Sequence, residues 1–569
     1  MAENQQIAGG SYEIIRKRLL SHSEELRTRL AKLNVSRKDV FGALETSLIA
    51  NDRITTDNNC IPRDMVPINN HFIFGYNVHI GLRQEVQLAD VFSMYRFDPS
   101  DHGFHQESLT MIEDKQFAED FHNLYKYYKN TVFSKFAVIG PHLYMVFQVG
   151  KNVTDIKTFK WAIKENELLY LGNRFDHEFK YPSQHEFRWQ RTNRDMHRRG
   201  SSPHISILER VFVSNLNGSL TLKVEDNTDH GKGVYEEPLE NRDQTLDDAE
   251  FHFADLGKLI LLKIKPYQEE EFRYFVFNEK LQQATRIDSL EDAGILLPDG
   301  HGLIFSNGYY LERGDYKVFD NDLQDMHFEK RIPSPNGEDT LFVFYNQVSG
   351  IYILMPYNLV EQQVATPITC HGYSIFPNGE LCYFKAEETP GKHHVVQVWQ
   401  TPYTTSEFAQ SAKSDSYLYK VGNKDLVRGM AEANELLAII NKGESYNDIY
   451  IDLVKKTNDI LDSYYWIKHA DTEKLNEPLE GIREAAASAI DEYEKVRRMR
   501  AHTNGEMKRV GEEIGILFEK IRRYKPKYVD QFVAYLGELR HLRGEAIALK
   551  ELRYVDLEWV DEKENEIIE

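Results

Sequence analysis

The spacing of apolar and polar positions changes period twice along the chain. Between about residues 10 and 50, Ile15, Leu19, Leu26, Leu30 and Leu33 recur at helical intervals. That pattern predicts an amphipathic helix with Ser11 as its cap. Between about 55 and 404 the apolar runs become short or alternating, as in HFIFGYNVHIGL, HLYMVFQVG, KLILLKIKPY and TLFVFYNQVSGIYILMPYN, and Asn, Asp, Gly or Pro bounds them. These predict strand after strand. Asn217-Gly218, Asn307-Gly308 and Asn378-Gly379 mark tight hairpins, and HGLIFSNG at 301–308 is echoed by HGYSIFPNG at 371–379. A meander of this length is too long for one sandwich. At roughly 40–50 residues per blade it predicts an irregular β-propeller of about seven blades; two packed β domains are the alternative.

After the polar linker SAKSDSYLYKVGN the period is helical again. Ile482, Ala486, Ala489, Tyr493 and Val496 form a heptad seam, resumed by Met507, Val510, Ile514, Leu517 and Ile521. Arg500 and Thr503 hold the phase with polar chemistry, which suits a bend or a register pin. Pro526 is expected to close this helix, and VDQFVAYLGELRHLRGEAIALKELRYVDLEWV to fold back as another. The last residues, DEKENEIIE, carry no helix stop, and the expectation is a chain that continues into a further module. The fold class is therefore mixed: an N-terminal helical segment (1–54), a large all-β body (55–404) and an α-helical, coiled-coil domain (405–569).

One stretch, CIPRDMVPINNHFIFGYNVHIG at 60–81, has a more particular shape. Pro62 and Pro67 are expected to restrict the chain ahead of each strand. Asn69-Asn70 turns it, and Phe72, Phe74 and Tyr76 alternate onto one face. Gly75 reads as a bulge or close approach and Gly81 as a turn. Cys60 reads as a small buried hydrophobe.

Composition adds bounds. The 569 residues are a prior for two to four domains, and the net charge of −21 argues against a general nucleic-acid coat while leaving room for a local basic patch. Three cysteines with no CxxC fit a reducing cytoplasm. No apolar run reaches the roughly 20 residues of a membrane helix, and the N-terminus lacks a secretory pattern, so a cytoplasmic protein without a membrane partner is expected.

Catalytic motifs are missing from the sequence. It contains no G-x-x-x-x-G-K-[ST], H-E-x-x-H, G-x-S-x-G or post-strand G-x-G-x-x-G, so no catalytic or cofactor-binding residue is assigned. His102 and His105 with Asp101 and Glu107, Cys370-His371 and His393-His394 match no closed zinc spacing and read as polar loops. The acidic run at 223–233 lacks the EF-hand register. The one nucleic-acid signal is FRWQRTNRDMHRRGSSPH. There Arg188, Arg191, Arg194, Arg198 and Arg199 could fork onto phosphates and Trp189 could stack on a base. The competing readings are an ordinary solvated loop, or arginines that pair with the acidic strands next door.

Further short motifs carry no chemistry individually. They are NNCIPRDMVPINN, FGYNVHIGL, HISI (204–207), KVEDNT (223–228), GKGVYEEPL (231–239), SPNGED (334–339), LMPYN (354–358), CHGYSIFPNGEL (370–381), VWQTPY (398–403), GNKDLVRG (422–429) and LKELRYVD (549–556). In this order the chain resembles the N-terminal region of large bacterial DNA repair ATPases, a domain of unknown function that precedes an AAA-type module. The resemblance implies ATP and Mg bound by that module, which would be the partner of this region within one polypeptide, and a role in DNA repair. None of the family's nucleotide-binding residues falls on this sequence. The expectation is a regulatory or recognition region whose β body contacts DNA or another protein. A protein-interaction scaffold is the alternative, and a propeller hydrolase or lyase a third class.

Overall fold

The computed structural model describes all residues except Met1, Ala43, 79–84, 153, 166, 229–232, 321–322, 406–414, 524–527 and Glu569, and describes 2–10 by backbone alone. The expectations placed on Gly81, Pro526, residues 411–414 of the linker and residues 229–232 of the acidic run lie outside the described residues. The chain divides into two compact units, Asn34–Glu435 and Met1–Leu33 with Leu436–Glu569.

Helix α1 (Ala2–Phe41) begins well before Ser11, which lies inside it rather than capping it. The preceding AENQQIA is rich in helix formers, and the glycine pair that follows costs only about 1 kcal/mol per residue, too little to stop propagation. Gly42, at φ +78°, ends the helix in the left-handed conformation. Leu19, Leu26, Leu30 and Leu33 are buried as their spacing predicts.

The unit Asn34–Glu435 is a large all-β body of several antiparallel sheets. Its pivot is one strand, Ser47–Ile68. The first part pairs with Gly391–Gln400, from Ser47↔Gln400 to Thr55↔His393. The second pairs with His71–Val78, from Cys60↔Val78 to Ile68↔His71. Strands from the two ends of the body thus meet in one eleven-stranded sheet. Pro62 and Pro67 fall inside this strand instead of ahead of one. Past Cys60 its ladder neighbour among the described residues is His71–Val78 alone, which leaves room for residues without an N–H.

The other sheets are meanders. One comprises Val132–Ile139, His142–Gln148, Ile156–Lys164 and Glu167–Gly172. A second runs from His197–Arg198 to Tyr235–Pro238, a third from Gln190–Arg191 through Glu250–Asp255 to Gln283–Arg286, and a fourth from Ile295–Leu296 to Tyr316–Val318. All three Asn-Gly pairs sit at hairpins between paired strands. Successive sheets share cores: Ile205, Val213 and Leu222 pack with Phe253, Leu262 and Phe275, and Leu261 and Val276 pack with Leu303 and Phe305. The short α2 (Leu88–Val91) and α3 (Lys115–Tyr127) lie in this body, and α3 buries Phe117, Phe121 and Leu124 against Phe147, Phe159 and Trp161.

In His71–Val78, Phe72, Phe74 and Tyr76 share one core, while Ile73 faces another. Gly75 is a close approach: a Cβ there would lie 2.0 Å from the Phe133 ring.

Among the described residues five α-helices follow α4 (Tyr417–Val421): α5 (Asn423–Lys442), α6 (Ile449–Ser463), α7 (Asn476–Arg523), α8 (Val529–Leu549) and α9 (Leu557–Ile568). The polar positions of the seam have partners. Arg500 pairs with Glu444, and Thr503 Oγ1 donates to the Arg553 carbonyl at 2.9 Å. The helix continues through them unbroken, with Val510, Ile514 and Leu517 packed on Leu542, Ala546 and Leu549. Among the described residues no helix is long and apolar enough to cross a membrane.

Candidate functional site

The arginine-rich segment divides between two sheets. Trp189 is half-buried, with its ring 5.2 Å from Phe187 and 5.8 Å from Tyr274. It is committed to a core instead of being free to stack on a base. Arg188 is exposed in the loop before it, and Arg191 is exposed on the edge strand that pairs with His252. Arg194, Arg198 and Arg199 come together with His197 around an open cleft of about 420 Å³, whose wall includes Leu216, Thr245 and Asp247. Their ion pairs are long and solvated: Arg194 lies 3.7 Å from Asp247, and Arg198 lies 3.6 Å from Asp226 and 3.8 Å from Glu209. Such pairs contribute little and can be exchanged for an incoming anion.

Sequence reading misses a second cluster altogether. Four strands each carry one residue extra to their ladder: Arg63, Ser134, Glu329 and Gly372. A bulge bends its strand and re-aims the neighbouring side chains, and these four converge. Asp64, Glu329, Tyr352 and Tyr373 line a cleft of about 420 Å³. Lys135 is buried and pairs with Glu329 at 2.9 Å. Its Nζ lies 4.8 Å from the Tyr345 ring centroid and 5.6 Å from that of Tyr352, a cation–π arrangement. Asp64 Oδ2 accepts from the Phe136 N–H at 2.7 Å, and Oδ1 accepts from the N–H of its neighbour Met65 at 2.9 Å. Gly372, at φ +71°, leaves no space for a Cβ, which would lie 2.5 Å from the Asp64 Cα. The motifs CIPRDMVPINN and CHGYSIFPNGEL, far apart in the sequence, therefore build one place.

Burial pushes the Asp64 carboxyl up to about 7, against the lowering influence of Lys135. Burial, the largest single influence, would depress Lys135, but the charge and hydrogen bond of Glu329 together with Tyr345 and Asp64 outweigh it and the net direction is up. The folded state thus holds the Asp64 proton more tightly than the unfolded chain does. The resulting stabilisation is fully present below the ordinary carboxyl value near 3.8 and is lost as pH rises through about 7. Asp64→Asn removes this dependence. Its stability relative to the parent is expected to rise between pH 5 and pH 8, measured by urea unfolding at each pH. A difference that does not change with pH would rule the shift out.

The histidine sites weighed from sequence are loop and core features. Asp98, Asp101 and His105 lie within 4.8 Å of one another on the surface. Asp98 is engaged by the N–H and hydroxyl of Ser100, and Asp101 by the N–H of Gly103. His371 is buried with its ring nitrogens 3.3 and 3.0 Å from the carbonyls of Gly350 and Glu387. Cys60 is buried as expected, but it is not in purely apolar company: the ring of His394 lies against its sulfur.

A search of curated proteins found no match. Among solved structures, similarity extends to the AfRom2 CNH domain, at 9% identity over 62% of this chain and 98% of that one, TM-score 0.23. It extends also to the extracellular domain of a hybrid two-component system from B. thetaiotaomicron, at 8% identity over 64% of this chain and 44% of that one, TM-score 0.23. A prolyl endopeptidase aligns at 10% identity over 70% of this chain and 53% of that one, TM-score 0.18. A family model described as "ATPase involved in DNA repair" (DUF3686) matches residues 25–465, well over half of the sequence, and the chain belongs to that family.

Proposed function

We propose that this chain is a regulatory and recognition region of a DNA repair ATPase, acting with an AAA-type module that binds ATP and Mg and carries out hydrolysis. The family description supports the link to an ATPase, and the absence of a P-loop from the sequence supports assigning hydrolysis elsewhere. The observation that carries recognition is the cleft walled by Arg194, His197, Arg198 and Arg199, a cationic concavity on a chain of net charge −21. Arginine forks onto phosphate oxygens with two parallel bonds. Arg188 and Arg191 are exposed, in a loop and on an edge strand of the neighbouring sheet, and would add cations to the same segment; Trp189 serves its core.

The same reading takes the β body as an irregular seven-bladed propeller. Five antiparallel sheets occur among the described residues, and dividing the eleven-stranded one into three blades, two of which share the strand Ser47–Ile68, would give seven and close the ring. The packed pair α7 and α8 would act as a coiled-coil lever.

Arg198→Glu with Arg199→Glu is the test. DNA affinity, measured against salt, is expected to fall, and the slope of log K on log[salt] to shrink by about 0.9 for each phosphate that the variant no longer neutralises. An unchanged slope would remove the DNA reading. A protein scaffold is the second reading, favoured by the exposed row Val529, Phe532, Val533 and Leu536 on α8. Retention on heparin near physiological salt separates the two, because a scaffold of this charge flows through.

A further inference from the structure

The long strand Ser47–Ile68 leaves its ladder between Thr55 and Cys60, just where it changes partner. The departure opens a cavity of about 290 Å³ with Cys60 and Thr56 in its wall. Behind them, His394 is fully buried. Its Nε2 lies 3.3 Å from Cys60 Sγ and 3.3 Å from Thr56 Oγ1, and its Nδ1 lies 2.9 Å from the Glu387 carboxylate.

This geometry fixes the chemistry of the ring. A carboxylate can only accept, so Nδ1 carries the proton that Glu387 receives, and Nε2 presents a lone pair to the thiol. Nucleophile, base and orienting acid thus stand in hydrogen-bonding sequence, the general arrangement of covalent catalysis. Burial pushes the Cys60 thiol up to about 11, so the sulfur rests as a neutral thiol and depends on His394 to take its proton during attack. Cys370 and Cys382 are also buried, but no imidazole is hydrogen-bonded to either sulfur among the described residues.

The cavity wall also selects charge. Asp57, Asp90, Glu107 and Glu113 line it, and among the described residues no Lys or Arg does. Some of these are already engaged, as Asp90 is by Asn58 and Glu107 by Arg96, yet the summed field still disfavours an anion and favours a cation.

We propose that Cys60, His394 and Glu387 form a nucleophilic site that accepts an acyl group from a small, positively charged ester or thioester. His394 Nε2 takes the thiol proton as Sγ bonds to the carbonyl carbon. The bond from that carbon to the leaving oxygen or sulfur breaks, and the imidazolium returns the proton to the leaving group. The products are a Cys60 thioester and a free alcohol or thiol. Glu387 is a positioning residue that steadies the imidazolium. This site is independent of the arginine cleft, and its outcome does not bear on DNA binding.

The test uses the full chain with three p-nitrophenyl esters: of trimethylglycine (cationic), acetic acid (neutral) and succinic acid (anionic). Each rate is divided by the rate with N-acetylcysteine. One equivalent of p-nitrophenol per chain is expected, with the acyl mass on the Cys60 peptide and normalised rates falling from cation to anion. Cys60→Ser should abolish the labelling, and His394→Gln should slow it about 10²-fold or more. Glu387→Gln should shift the pH profile of acylation to lower pH, because the imidazolium loses its carboxylate; a purely structural role for Glu387 would leave the profile in place. The ranking of the esters on the unmodified chain needs no variant to fold. Labelling confined to Cys370 or Cys382, no labelling at all, or rates that ignore charge would each overturn the proposal.

Discussion

Lys135→Met is expected to destabilise the β body by about 3–5 kcal/mol, the range for breaking a buried ion pair from one side. The cost is set by what stays behind. Glu329 would be left without its 2.9 Å partner, on a side chain only 19% exposed, and Asp64 without the cation that lowers its carboxyl. The rings of Tyr345 and Tyr352 would be deprived of the ammonium that now lies 4.8 and 5.6 Å from their centroids. Methionine fills most of the lysine stem's volume, so the effect is electrostatic and not that of a cavity. Lys135→Met with Glu329→Leu discriminates. Replacing both charges by apolar groups is often neutral, because the desolvation of the pair is also removed, so the double variant should recover most of the stability. Urea unfolding of the two single variants and the double supplies the cycle. A single-variant cost below about 1 kcal/mol would place the pair in the class of solvated surface bridges.

What sequence could not reveal here has a physical reason. Lys135 sits in VFSKFAVI, where a lysine between apolar residues of a strand reads as an exposed position. The bulge at Ser134 breaks the alternation and turns Lys135 inward, and bulges are set by the partner strand. The same applies to Asp64, which looks like a turn residue in PRDMVP. Where a period is long and unbroken, sequence reading succeeds. The leucines of α1, the aromatic alternation of Phe72, Phe74 and Tyr76 and the Asn-Gly hairpins all occur where they are expected. It fails for pairs brought together from distant segments: Cys60 and His394 are 334 residues apart, and no spacing rule reaches that far. The Arg194, Arg198 and Arg199 group is legible because it is local, whereas the assignment of Trp189 to a core depends on Tyr274.

Arg37→Met should cost a comparable amount, and it assigns work to two motifs that carry no chemistry of their own. Arg37 lies near the end of α1 with its side chain only 3% exposed, and Glu338, its partner, is 9% exposed. The guanidinium also donates to Asn34 Oδ1 at 2.8 Å and to Asn423 Oδ1 at 2.9 Å. Glu338 comes from SPNGED and Asn423 from GNKDLVRG. The two motifs are themselves joined, since Asn423 Nδ2 donates to the Asn336 carbonyl at 2.9 Å. Gly337, at φ +70°, makes the turn that presents Glu338. Truncating the arginine therefore leaves a buried carboxylate without its counter-charge and two amide oxygens without their donor, for an expected cost of about 3–5 kcal/mol. Glu338→Gln should cost less, about 1–3 kcal/mol, because the amide still offers Arg37 an oxygen and gives up the charge and the acceptor for Asn358 Nδ2. Reversing that order in urea unfolding, with Glu338→Gln the more damaging change, would mean that the pair is held by something other than the arginine, and the clamp reading of these motifs would fail.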